Sequence, residues 1–186
     1  EISKPKRSSL IHSDLSALKF VKTHSANIDI WPAGESAAQE KLTNFLQSKA
    51  DSYSESRNSP IVDGTSRISP YLALGILSPK RCILEGLKLN NFEFTSGNKG
   101  ICKWIDEIIW REFYRNIMHS FPKVSMSQPF QDYTKSIQWR HSSEELEAFY
   151  AGRTGFPIVD AGIRQMLAEG WMHNRLRMVV AMFFTK

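Results

Sequence analysis

The stretch Trp104-Ile105-Asp106-Glu107-Ile108-Ile109-Trp110-Arg111-Glu112-Phe113-Tyr114-Arg115 has the spacing of a long helix, which we place at about residues 99–118. On such a helix Trp104, Glu107, Arg111 and Tyr114 fall on adjoining parts of one face, with Trp110 beside Glu107 and Arg111. Two readings of that face stand side by side. Two indoles flanking an acid and a base make a floor for a flat, polar, aromatic ligand. Equally, Glu107 and Arg111 make an i,i+4 salt bridge on an amphipathic helix whose tryptophans belong to the core.

Working outward, further segments also read as helices. Ser36 with Gln39 forms a capping-box signature, followed by Ala38, Leu42, Phe45 and Leu46 at helical spacing. Ser69-Pro70 and Ser78-Pro79 each place a cap before a first-turn proline, and Gly75 breaks the short helix between them. Pro122 and Pro129 mark a loop. Ser142 with Glu145 is a second capping box, and Gly152 closes that short helix. Thr154-Gly155-Phe156-Pro157 turns into another helix that ends near Gly170. The last helix opens within Trp171-Met172-His173-Asn174-Arg175-Leu176-Arg177-Met178 and runs into the apolar segment Val179 to Phe184. Polar at its start and apolar at its end, it is half buried, with Asn174 and Arg177 on one face and Arg175 pointing elsewhere. No alternating strand pattern appears, so the expected fold class is all-α. Residues 1–30, with Lys4, Lys6, Arg7, Ser8, Ser9 and Ser13, read as a linker ended by Trp31-Pro32 and Gly34.

Composition narrows the function classes. The chain has 186 residues, 41% of them hydrophobic, enough for one domain with a core. A formal charge of +5 and a pI near 9.3 lean toward a polyanionic partner. Two cysteines, Cys82 and Cys102, make neither a disulfide framework nor a metal pair and are expected as half-buried thiols in a reducing compartment. The histidines His12, His24, His119, His141 and His173 are scattered, and no metal site is expected. No apolar run reaches the roughly 18 residues a membrane span needs and no signal peptide opens the chain, so the cytoplasm is the expected location. Glu1 and the abrupt end at Thr185-Lys186 suggest a piece of a longer protein.

Two more segments carry chemistry. Gly64-Thr65-Ser66-Arg67-Ile68-Ser69-Pro70 places hydroxyls and an arginine just before a helix start, where backbone N–H groups can meet a phosphate. Ordinary capping explains the same residues, and the spacing is not that of a P-loop. Arg175 and Arg177 cannot shed their charge and call for an anion or a polar ligand.

Taken in order, Gly64 to Ser69, Trp104 to Arg115, Thr154 to Ala161 and Trp171 to Met178 resemble the FAD-binding helical domain of the DNA photolyase and cryptochrome family over roughly residues 30–186. Within it, Trp171 to Met178 is most similar to the bacterial-type cyclobutane-pyrimidine-dimer photolyases. The (6-4) photolyases carry a His-His pair near the Asn174 position, which this chain lacks. The resemblance implies a multi-helix domain over 31–186, incomplete on its C-terminal side, with an α/β antenna domain outside this chain that takes a folate or deazaflavin chromophore where it has one. It implies light-driven repair of pyrimidine dimers in UV-damaged DNA by electron transfer from reduced FAD in the full-length parent, a monomer, with the piece alone inactive. By similarity Tyr53, Thr65, Ser66, Arg67, Ile68 and Ser69 hold the FAD phosphates and ribityl chain. Trp104, Glu107 and Arg111 line the flavin cavity opposite Asn174 and Arg177. Glu107, Trp110, Asn174 and Met178 touch the dimer, Arg175 and Arg57 meet DNA phosphate, and Trp139 is the outermost tryptophan of an electron-transfer chain. Photolyases are a named example of enzymes that extrude a base from the duplex. A cryptochrome-like photosensor and a flavin-free helical scaffold are the competing classes.

Overall fold

A computed structural model describes residues 28–186; most of the expected linker therefore lies outside the described residues. Among these residues there are eight α-helices and no strand. They are α1 (Glu35–Ser48), α2 (Tyr53–Ser56), α3 (Ser69–Ala73), α4 (Pro79–Leu89), α5 (Lys99–Ser120), α6 (Ser143–Tyr150), α7 (Pro157–Glu169) and α8 (Asn174–Thr185). Short 3-10 turns at Ile28–Ile30, Pro122–Met126 and Asp132–Ser136 complete the architecture. No helix among them is long and apolar enough to cross a membrane.

Local chemistry explains most boundaries. The Asn98 side chain accepts the N–H groups of Gly100 and Ile101 and so starts α5. Ser142 accepts the Glu145 N–H at the start of α6. Pro79 begins α4 behind Ser78, and Pro157 begins α7. Gly170 ends α7 in the left-handed region at φ 65°, where a side chain would be strained.

Two starts differ from the sequence reading. α1 begins one residue before Ser36, and Gly34 at φ 99° occupies its cap, with its carbonyl taking the Ala38 N–H. Ser36 therefore lies inside the first turn and makes no box with Gln39. Likewise Ser69 is the first residue of α3 and Ile68 holds the cap position, so Pro70 sits in the first turn without a side-chain cap.

The helices bury two clusters. The larger gathers Leu42, Phe45, Tyr53, Tyr71, Leu77, Cys82, Ile101, Trp104 and Ile105 from α1 to α5. Here α5 packs against α2 and α4. Gly100 makes the approach possible, because a Cβ there would land on the carbonyl oxygens of Ala50 and Asp51. Cys82 lies fully inside this core rather than half-buried, and burial pushes its thiol up to about 11. The smaller cluster, Val159, Ile163, Met172, Leu176 and Val180, is the contact of α7 with α8.

A polar seam joins the two. The Trp31 indole Nε1 donates to the Glu169 carbonyl at 2.6 Å. Arg67 donates to the Glu169 carboxylate at 3.2 Å and lays its guanidinium over the Trp171 ring, 4.4 Å from its centroid.

Candidate functional site

α5 changes character at Ile108. Up to that residue its apolar side chains are buried; after it Ile109, Trp110, Phe113, Tyr114 and Met118 lie open to solvent. Trp104 is 1% exposed and packs tilted against Phe45 at 5.3 Å between ring centroids. The expected floor of two indoles is therefore corrected to one. Trp104 supports the surface from beneath, and only Trp110, 49% exposed, presents a ring to a ligand. Trp110 stands edge-on to Phe113 at 5.2 Å and tilted on Tyr114 at 6.1 Å, a small aromatic patch.

The expected Glu107–Arg111 pair does not form. Glu107 is ion-paired with Arg57 and faces Lys103 Nζ at 3.7 Å. Arg111 instead donates to Glu112 at 2.6 Å and to the Leu72 carbonyl at 2.9 Å, tying α5 to α3. Arg57 has a mostly buried side chain whose guanidinium also lies over the Tyr53 ring at 5.6 Å. It is thus engaged within the protein rather than standing free for a phosphate. Burial, with Glu107 adding to it, pushes the Tyr53 phenol up to about 12, so Tyr53 remains a neutral hydroxyl.

The start of α8 reaches the same place from the other side. Arg175 donates twice to the Asn58 side-chain Oδ1, at 3.1 and 2.5 Å. Arg177 donates to the Met172 carbonyl at 2.9 Å. The two arginines therefore serve different partners, and Asn174, Arg177 and Met178 all stand exposed. The pair Arg57-Asn58 is the hinge pin of the arrangement: it holds Glu107 of α5 with one residue and Arg175 of α8 with the next. Asn58 carries no signal in the sequence, because its partner is 117 residues away. Glu169 and Trp31 escaped notice for the same reason.

Among the described residues, no backbone hydrogen bond is donated by the amides of Thr65, Ser66 or Arg67 in the turn before α3. Arg67 adopts φ 48°, and its Nε is buried without a hydrogen-bond partner. A cleft of about 430 Å³ opens beside Thr65, Ser66 and Arg67, walled by Trp31, Lys41 and Lys49. Burial, and then the neighbouring charge of Arg67, lowers the Lys41 pKa from its ordinary value. Ile68 is buried and Ser69 exposed.

A wider opening of about 970 Å³ lies around Trp139, Phe149, Tyr150 and Phe183. Trp139 is 55% exposed. Neither opening is lined by Glu107, Trp110, Asn174 or Met178; Glu107 is half-buried and the other three are exposed.

An all-helical body that combines backbone donors, arginines and an exposed indole defines a protein built to take a phosphate-bearing aromatic cofactor. A family described as the FAD binding domain of DNA photolyase matches residues 104–186. The deoxyribodipyrimidine photo-lyase of Neurospora crassa is 42% identical over 158 residues, covering 84% of this chain and 26% of that protein. Its namesake from Escherichia coli is 43% identical over 156 residues, covering 84% of this chain and 33% of that protein. Among solved structures, a bacterial class III photolyase from Agrobacterium tumefaciens superposes with a TM-score of 0.78 at 37% identity, over 83% of this chain and 31% of that one. A cryptochrome from Synechocystis superposes with a TM-score of 0.74 at 31% identity, over 82% of this chain and 32% of that one. The chain belongs to the DNA photolyase and cryptochrome family. It spans about a quarter to a third of the length of these curated relatives.

Proposed function

We propose that residues 31–186 form part of the helical FAD- and DNA-binding domain of a cyclobutane-pyrimidine-dimer photolyase, a carbon–carbon lyase driven by blue light. The observation that carries this reading is that adjacent residues, Arg57 and Asn58, hold Glu107 of α5 and Arg175 of α8, while Trp110, Asn174 and Met178 are exposed. In this reading Glu107, Trp110, Asn174 and Met178 supply an acid, an indole, an amide and a thioether to one ligand.

FAD fits the residues present. The amides of Thr65, Ser66 and Arg67 suit a diphosphate, with Ile68, Ser69 and Tyr53 as the other proposed FAD contacts. Arg111, Asn174 and Arg177 would orient the ring system, and Trp104 backs that wall from the core. When bound, the flavin supplies the photochemical electron; the protein supplies orientation and electrostatics. Trp110 and Met178 would give the extruded dimer an apolar wall. Glu107 and Asn174 would hydrogen-bond its carbonyl and imide groups, stabilising the charge that develops there. Arg175 would meet DNA phosphate by exchanging Asn58 for it, whereas Arg57 acts through Glu107. Trp139, exposed and aromatic, would pass electrons between solvent and the interior.

The whole protein would act on UV-damaged DNA as a cytoplasmic monomer, with a folate or deazaflavin antenna where a further domain provides one. The test is loss of dimers from irradiated DNA by the full-length protein under blue light. Equal dimer content in lit and dark samples would sink the reading. We expect the 186-residue chain alone to bind FAD weakly, and a stoichiometric flavin spectrum from it would contradict that expectation.

The structural likeness to a cryptochrome favours a second reading, a blue-light photosensor that keeps FAD and signals through partners. Light-dependent repair separates the two.

A further inference from the structure

His173 is among the few polar side chains in the cores, 3% exposed. Its Nδ1 accepts the Arg175 N–H at 3.2 Å, which is the side-chain cap of α8. An acceptor nitrogen carries no proton, so in the neutral ring the proton sits on Nε2. That Nε2 is buried without a hydrogen-bond partner of good geometry. Trp171 stands edge-on to the ring at 6.2 Å, and Gln165 Oε1 accepts the backbone N–H of His173 at 3.3 Å. From these contacts we propose that His173 is a positioning residue. As a neutral imidazole protonated at Nε2, it fixes the first turn of α8 and with it Asn174, Arg175, Arg177 and Met178.

The chemistry of the cap makes it conditional. A second proton would go to Nδ1 and turn the acceptor into a donor facing the Arg175 N–H. Two donors cannot bond, so the cap is lost. The charged groups around the ring all oppose that proton. They are Arg175 on its own helix, Arg67 from the turn before α3 and Arg57 from the end of α2. Glu107 is paired with Arg57, and Glu169 and Asp63 with Arg67. Burial first, and then these arginines, hold the imidazole pKa below its ordinary value. The sign follows: the folded state favours the neutral ring. Its contribution is complete above the ordinary histidine value of about 6.5 and is lost as pH falls through the lower folded value.

The role for ligand binding rests on the proposed function; the cap itself does not. Nitrogen-15 spectra of histidine-labelled 186-residue chain read tautomer and titration directly. We expect an Nε2–H ring that titrates below the ordinary histidine value of about 6.5. Amide exchange in the first turn of α8 should accelerate as that ring protonates. His173→Ala should speed it roughly 2- to 30-fold at neutral pH. His173→Asn, whose carbonyl can accept the same N–H, should restore protection and abolish its pH dependence. An Nδ1–H tautomer, an unshifted titration, or equal exchange in the Ala and Asn variants would overturn the proposal. If the Ala variant does not fold, the wild-type titration and the Asn variant decide it. In the full-length protein, binding of a dimer-containing oligonucleotide should follow the same order, weakened by Ala and restored by Asn. Absence of binding in every variant, with the capping results intact, would count against the photolyase reading of the surface and leave the cap standing.

Discussion

The two halves of α5 are nearly equal in apolar content and opposite in fate. Ile101, Trp104, Ile105 and Ile108 are core; Ile109, Trp110, Phe113, Tyr114 and Met118 face out. The first half meets α2 and α4 and the Ala50-Asp51 turn, while the second extends past them. Hydrophobicity thus sets what a helix can bury, and neighbours decide what it does bury.

Substitutions can break or sharpen that contrast. The largest effect belongs to Trp104→Ala, expected to cost about 3–5 kcal/mol by denaturant unfolding. A loss under about 1 kcal/mol would show that the first half is not core. Gly100→Ala comes next, at about 1–3 kcal/mol, because its methyl would drive α5 off the Ala50 and Asp51 carbonyls. An unchanged midpoint would mean that the approach is not close. The smallest stability change, within about 0.5 kcal/mol, is expected for Trp110→Ala. The same variant should lose discrimination between dimer-containing and intact DNA in the full-length protein. Equal weakening on both substrates would assign Trp110 to packing.

The same contrast explains what was legible in the sequence. Punctuation was: Ser142, Gly152, Pro157, Gly170 and Gly75 act within a few residues of themselves, and their helix ends lie where local chemistry puts them. Ser36 misled because a glycine two residues earlier makes the turn that a hydroxyl was expected to make. Trp104 and Trp110 could not be told apart, since both lie on apolar sectors of one helix and only tertiary neighbours distinguish them. Glu107 chose Arg57, 50 positions away, over Arg111 one turn along. The long-range choice requires the fold before it can be seen. Family motifs name the proposed site residues, and the partners that hold Glu107 and Arg175 emerge only in three dimensions.

The polar seam has a consequence for the order of assembly. Its bonds span 102 residues for Arg67–Glu169, 117 for Asn58–Arg175 and 138 for Trp31–Glu169. Closing such loops costs chain entropy before any contact rewards it, whereas the α7–α8 hairpin closes locally. We predict that the two helical clusters gain protection early in refolding and that the seam locks last. Pulse-labelled exchange that found the Trp31 indole N–H, a seam donor, protected as early as the Ile105 amide would refute that order. The surface proposed to read DNA damage would then be the last part of the chain to acquire its shape.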